Sequence, residues 1–351
     1  MTKSTGADVF DRPEIFLSLA VSLLDQNKVA AAEELIADTL ARHPGDPLYE
    51  NVARIIRTRK LPSWHASMLR DGPRNAAYRA AIEAVAEDRV VLDIGTGSGL
   101  LAMMAARAGA KRVIACEANP LVAETARRII AANGFADVIT IHACHSTKLT
   151  RDMIGDAGAE VVVSEIFAAD LVGEGVLPAL EHARQELCAP DALFVPEAAC
   201  LRVALVELAK MEATPRMVEG FDLGEFLPLY SNTDFIDPAS TKFALRSQPV
   251  DLALLNWNIP SPVPVTGHAA ASVTASGGTI NAVAQWLKID FGNGVAYENP
   301  PGGDAAAHWY PITYLLPSSL QTEPGETLEV EAFYHAATLQ VWANQARQTS
   351  G

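Results

Sequence analysis

Residues 93–99 read Asp-Ile-Gly-Thr-Gly-Ser-Gly, and Glu117 follows in the run RVIACEAN. Glycines at 95, 97 and 99 let a backbone turn tightly and approach a ligand closely. A carboxylate at the tip of the next strand can accept both hydroxyls of a ribose. The dinucleotide pattern GxGxxG fails here, because after Gly95 and Gly97 its third glycine would fall on Leu100. An acidic residue followed by GxGxG is the pattern of S-adenosylmethionine sites. Such a site binds no pyrophosphate, so it needs room for a methionine and a sugar more than a helix N-terminus for phosphate. Either Asp93 or Glu117 alone could be a strand-end cap; together, at this spacing, they read as one cofactor site.

The elements that must position these residues are visible around them. Val90–Gly95, Arg112–Glu117, Val138–His142 and Glu160–Glu165 are short, β-rich and nearly continuously apolar, as buried parallel strands should be. Helical stretches, Gly99–Ala108 and Pro120–Asn133, lie between the first three. That alternation predicts an α/β fold, a doubly wound Rossmann-like sheet. After about Glu197 the texture becomes strand-like with many turns, which predicts an antiparallel β-barrel. The first sixty residues carry apolar positions at helical spacing, Phe16, Leu19, Ala20, Leu23, Ala32, Ile36 and Leu40, with Asn27 breaking the pattern. Counted back from Pro44, Phe16, Leu19, Ala20, Leu23, Ala32, Ile36 and Pro44 itself fall on tetratricopeptide positions. One such hairpin cannot bury both faces alone; it either packs on the next helix or the domain behind it, or binds a peptide. The expected organisation is a helical hairpin over 1–60, a cofactor domain over 61–196 and a barrel over 197–351, with an arm near 210–232.

Composition bounds the rest. The 351 residues are 49% hydrophobic and 20% charged, ordinary for a globular chain of two or three domains. Cys116, Cys144, Cys188 and Cys200 show no CxxC spacing, so neither a metal site nor a disulfide framework is expected. The polar start MTKSTGADVFDRPE is no secretory leader, and the stretch from Leu252 to Leu287 lacks charge but is broken by Pro260, Pro262 and Pro264. Neither membrane nor secretion is expected, and the cytoplasm is the default location. The net charge of −15 argues against a nucleic-acid partner. Residues 1–150 hold 18 basic and 17 acidic side chains, whereas 151–351 hold 9 and 25. The second part either draws a cationic partner or is simply a soluble acidic surface.

With these residues in view, the chain from about Trp64 onward resembles the protein arginine methyltransferase family. WHASMLRDGPRNAAY (Trp64–Tyr78) is similar to the family's helix over the cofactor. By that match Arg74 pairs with the cofactor's carboxylate, and His65 and Met68 line the lid. SEIFAADLVGEG, with Glu165 and Glu174 nine apart, resembles the double-glutamate loop. Ala307-His308-Trp309 is similar to the threonine-histidine-tryptophan loop, and Asp71 matches the acid that pairs with that histidine. There are departures. The aromatic pair is absent before His65, the glutamate that touches adenine is replaced near His145 and Ser146, and the threonine is Ala307. These, with FAADLVGEG itself, look most like the monomethylating (type III) branch, although the tetratricopeptide-like start resembles a symmetric-dimethylating one.

The resemblance implies transfer of a methyl group from S-adenosylmethionine to a guanidino nitrogen of arginine in a protein or peptide. Guanidinium is a poor nucleophile because its charge is delocalised. Bonded to different nitrogens, Glu165 and Glu174 would localise that charge and leave the third nitrogen richer in electrons. Side by side and dry, the two acids repel, so one should have a raised pKa in the empty site. His308 either passes the released proton outward through Asp71 or only docks the barrel on the lid helix; Trp309 either walls the arginine slot or belongs to the barrel core. Phe221 and Asp222 fall where family members extend a dimerisation arm, so a homodimer or an ordinary surface loop is expected there. Two alternatives remain: a methyltransferase for a small amine or guanidine, and a non-catalytic scaffold keeping the fold.

Overall fold

The computed structural model describes residues 9–59, 65–209, 215–236, 242–259, 263–303 and 308–345. Trp64 and Ala307 of the family-like motifs, and residues 210–214 of the expected arm, lie outside the described residues.

Three helices come first: α1 (Pro13–Asp25), α2 (Val29–Arg42) and α3 (Pro47–Thr58). Asn27 takes a left-handed φ of 62° between α1 and α2, a conformation asparagine tolerates better than most residues. Pro47 starts α3 while the Asp46 carboxylate accepts the Leu48 N–H at 2.8 Å. The three helices share a small core of Phe16, Ala20, Ile36, Tyr49, Val52, Ala53 and Ile56. Leu19, expected in that stripe, is exposed instead. Two further helices, α4 (His65–Arg70) and α5 (Gly72–Val85), lead into the first sheet, with Asp71 capping α5 through the Arg74 N–H at 3.0 Å.

That sheet has five parallel strands: β1 (Val90–Ile94), β2 (Arg112–Cys116), β3 (Ile139–His142), β4 (Ala159–Ser164) and β5 (Cys188–Val195). Their order is β3-β2-β1-β4-β5. The connections carry α6 (Leu100–Arg107), α7 (Pro120–Ala132), α8 (Arg151–Ile154) and α9 (Val176–His182). Val91, Leu92, Val113, Ile114, Val161 and Val162 are buried, and each such side chain contributes about 1.5–3 kcal/mol by leaving water. The chain winds outward from β1 to β3 and then returns to β4, so the direction of winding reverses between β1 and β4. That reversal is where an open α/β sheet leaves a crevice at its carboxyl ends.

The remaining strands are β6 (Ala198–Leu208), β7 (Met217–Val218), β8 (Phe221–Asp222), β9 (Thr233–Phe235), β10 (Phe243–Leu245), β11 (Val250–Asn256), β12 (Thr266–Gly292), β13 (Val295–Glu298), β14 (Ile312–His335) and β15 (Thr338–Gln345). Apart from the small β7–β8 hairpin they form one barrel-like antiparallel sheet ordered β10-β6-β12-β14-β15, with β11, β13 and β9 added at its margins. Strand β12 alternates. Ala282, Ala284 and Trp286 pack into one small core, while Val283, Leu287 and Ile289 join the main core shared with the parallel sheet. The barrel meets the first domain through Phe291 of β12 against Tyr78 of α5, rings 4.7 Å apart and nearly perpendicular, and through Trp257 after β11 against Phe167 in the loop after β4 at 5.6 Å.

Candidate active site

Because all five strands are parallel, the loops that follow β1, β2, β3 and β4 emerge at one edge. Those loops carry the residues singled out by motif. A cavity of about 310 Å³ at this edge is lined by Gly95 and Gly97 after β1, Glu117 after β2, His145 and Ser146 after β3, and Glu165 and Glu174 after β4; His65, Met68 and Arg74 of the overlying helices close it.

The turn after β1 demands glycine for two reasons. Gly95 has φ 74°, and a side chain there would overlap Ile166, the residue after Glu165. The Gly97 N–H donates to one Glu117 oxygen at 3.1 Å, and the Asn119 N–H donates to the other at 2.8 Å. The backbone therefore fixes the carboxylate at the strand tip. Asp93 and Gly99, expected on the cofactor, do not line the cavity. Asp93 is buried beneath the loop and accepts the Thr96 hydroxyl at 2.6 Å. Burial pushes its carboxyl up to about 7, against the Thr96 hydroxyl and the Ala102 N–H, with Glu117 adding to the rise. It braces the glycine turn from below because β1 carries its side chain into the interior. Gly99 caps α6 and packs against Ile130.

Arg74 is fully buried, yet its guanidinium borders the cavity. Its Nη1 lies 3.1 Å from Glu165 Oε2, and Nη2 donates to Asn75 Oδ1 at 3.1 Å. Its Nε has no hydrogen-bond partner among the described residues. Glu165 is almost dry, its side chain 7% exposed. Burial pushes its carboxyl up to about 8, opposed by Arg74 and reinforced by Glu174 and Asp71. Glu174 corrects the expectation of two equally dry acids, since it stands at the exposed lip of the cavity. Its carboxyl is still raised, by partial removal from water and then by Asp170 and Glu117. The asymmetry follows from position: Glu165 caps a central strand, whereas Glu174 closes a loop facing outward.

Asp71 and His308 meet through the His308 backbone. The His308 backbone N–H donates to Asp71 Oδ2 at 2.8 Å, and the Tyr297 hydroxyl donates to the same oxygen at 2.7 Å. Burial, Arg74 and His65 lower the His308 ring to about 4 against the pull of Asp71. Two donors from the barrel side converge on one Asp71 oxygen and tie it to the segment between α4 and α5. Trp309 is buried behind the cavity rather than lining it, donating from Nε1 to the Phe167 carbonyl at 2.6 Å. Tyr297 and Gln285, both on barrel strands, touch this machinery and were not anticipated. Tyr297 carries no local signal, while Gln285 stands out only as a lone polar residue in AVAQWL.

A glycine turn facing a fixed carboxylate at the crevice of a parallel sheet, with a barrel-like antiparallel sheet appended, defines a two-domain Rossmann-like methyltransferase. The family model described as ribosomal protein L11 methyltransferase matches residues 79–185. An arginine N(omega)-methyltransferase of Streptomyces achromogenes subsp. streptozoticus is 37% identical over 331 residues, covering 91% of this chain and 89% of that protein. Protein arginine N-methyltransferase 7 of Gallus gallus is 31% identical over 328 residues, 82% of this chain; the chain spans 46% of that longer protein's length. In fold, the chain superposes on the Trypanosoma brucei PRMT1 enzyme-prozyme heterotetrameric complex with AdoHcy, with TM-score 0.68 at 24% identity over 82% of this chain and 98% of that one. Arabidopsis thaliana protein arginine methyltransferase 10 gives 0.63 at 16% identity over 80% and 95%. The chain belongs to the protein arginine N-methyltransferase family.

Proposed function

We propose that this enzyme transfers the methyl group of S-adenosylmethionine to an ω-nitrogen of arginine in a protein or peptide. The observation that carries the reading is the convergence of Glu165 and Glu174 on one cavity with Glu117, Arg74 and the glycine turn. The residues fit the cofactor: Gly95 and Gly97 leave a cradle that side chains would fill, Glu117 presents a fixed carboxylate to a ribose, and the buried Arg74 Nε lacks a partner that a carboxylate would supply. When bound, the cofactor supplies a methyl group on a sulfonium. Glu165 and Glu174 hold the guanidinium, and Met68 and His65 close the lid. Transfer is an in-line displacement, so these residues must bring the acceptor nitrogen to about 3 Å from the methyl with its lone pair aligned. Incubating the protein with labelled S-adenosylmethionine and arginine-containing peptides, followed by mass spectrometry, tests the reading; no label on any guanidino group overturns it.

A second reading, methylation of free arginine, has one specific observation in its favour. The Streptomyces relative, which matches nearly end to end, is named for arginine and not for protein arginine. Free arginine run beside the peptides separates the two.

The finer assignments form part of the proposal. The product is monomethylarginine, supported by the FAADLVGEG loop. Helices α1 and α2 form a tetratricopeptide-like hairpin, supported by Phe16, Ala20 and Ile36 at their contact. The division near residues 60 and 196 is supported by β5 ending at Val195 and β6 beginning at Ala198. A homodimer is supported by the exposed apolar arm, with Phe221 71% and Leu229 74% exposed. A cytoplasmic location is supported by four free cysteines.

A further inference from the structure

Gln285 lies on β12, is 0% exposed, and shares its face of the strand with Val283 and Leu287. Its Nε2 donates to the Ala169 carbonyl at 3.1 Å, while its Oε1 has no hydrogen-bond partner among the described residues. A buried amide with one end unanswered adds little net stability, because the cost of burying Oε1 offsets the one hydrogen bond that Nε2 makes. Its contribution lies where Nε2 points.

Ala169 sits in the loop between Glu165 and Glu174, and that loop is conformationally demanding. The Leu171 N–H donates to the Ala168 carbonyl at 2.7 Å, and the two residues form an isolated antiparallel bridge. Leu171 itself is fully buried with φ 73°, a left-handed conformation that a bulky side chain disfavours. A strained turn persists only when its surroundings hold it. The barrel does so through two donors on alternate carbonyls, Trp309 Nε1 on Phe167 at 2.6 Å and Gln285 Nε2 on Ala169. Trp309 holds the Glu165 side of the loop; Gln285 grips the side that leads to Glu174.

We propose that Gln285 is a positioning residue whose grip on the Ala169 carbonyl sets where Glu174 presents its carboxylate opposite Glu165. This rests on the reading that both glutamates hold the guanidinium. The test compares wild type, Gln285→Leu, Gln285→Glu and Glu174→Gln for thermal midpoint, cofactor affinity, and kcat and KM toward an arginine-containing peptide. Gln285→Leu should lower the thermal midpoint by no more than a few degrees, as the Ala169 carbonyl loses its donor, and leave the cofactor affinity unchanged, while kcat/KM falls by about 10²-fold, the scale of a small misplacement. Adding Glu174→Gln to Gln285→Leu should cost far less than it does in wild type, because coupled residues are not additive. At each pH relative to wild type, Gln285→Glu should come closest in activity at low pH, where the introduced acid can donate, and fall further behind as it ionises, since a carboxylate repels the carbonyl. A flat pH profile relative to wild type, or wild-type kcat/KM in Gln285→Leu, overturns the inference. If Gln285→Leu does not fold, the Gln285→Glu profile decides. Inactive wild type would instead overturn the proposed function, whereas active wild type with inactive Glu174→Gln and fully active Gln285→Leu would overturn this inference alone.

Discussion

Arg74 Nη1 and Glu165 Oε2 stand 3.1 Å apart, both side chains nearly dry, with the Tyr78 ring centroid 5.5 Å from the Arg74 guanidinium carbon. Both residues line the same cavity, and in the proposed reading Arg74 meets the cofactor's carboxylate while Glu165 meets the acceptor.

Replacing Glu165 by Gln should lower turnover by at least ~10²-fold, the usual scale for one lost electrostatic stabiliser. Cofactor affinity should change little. Steady-state kinetics beside calorimetry checks both, and unchanged turnover would remove Glu165 from the chemistry.

Activity should depend on pH through the same carboxyl. Burial raises Glu165 from its ordinary 4.5 to about 8, so at neutral pH the empty site holds much of it protonated. Arginine keeps its charge throughout this range. The acceptor's kcat/KM should therefore rise with pH up to about 8, since that ratio reports the free enzyme. Stability should run the other way. The folded protein holds this proton where the unfolded chain releases it, so the contribution is complete below about 4.5 and is lost as pH rises through about 8. Denaturation curves of wild type and Glu165→Gln across that window show whether the slope disappears in the variant.

Arg74→Ala or Glu117→Ala should weaken cofactor binding by roughly 1.5–3 kcal/mol, the range for a charged hydrogen bond. Calorimetric titration with the demethylated cofactor measures it; native affinity would dismiss these assignments.

Tyr297→Phe should destabilise the protein by roughly 1–2 kcal/mol, because Asp71 loses one of the donors answering its buried carboxylate. Urea unfolding reads this directly, and an unshifted midpoint would show that the hydroxyl does not hold the barrel to the lid.

Phe221→Asp should convert a dimer to a monomer, as the exposed arm loses its apolar contact. Sedimentation of wild type and variant settles it, and two identical profiles would refute an interface at this arm.

The sequence alone determined what depends on local pattern. Continuous apolar runs marked β1, β2 and β4, spacing of three and four marked α1 and α2, and the DIGTGSG turn with Glu117 fixed the cofactor edge, because parallel strands deliver their following loops to one side. Glu165 was legible at its strand tip, and Glu174 through the resemblance of SEIFAADLVGEG to the family's double-glutamate loop. Only the tertiary structure decided which atoms of these residues face the cavity. It turned Asp93 inward beneath its own motif, left Glu174 wetter than Glu165, answered Asp71 with a backbone N–H and a tyrosine hydroxyl, and placed Gln285 under Ala169 from 116 positions away. Such contacts are set by how two sheets pack, and packing between distant segments leaves no periodicity in a chain.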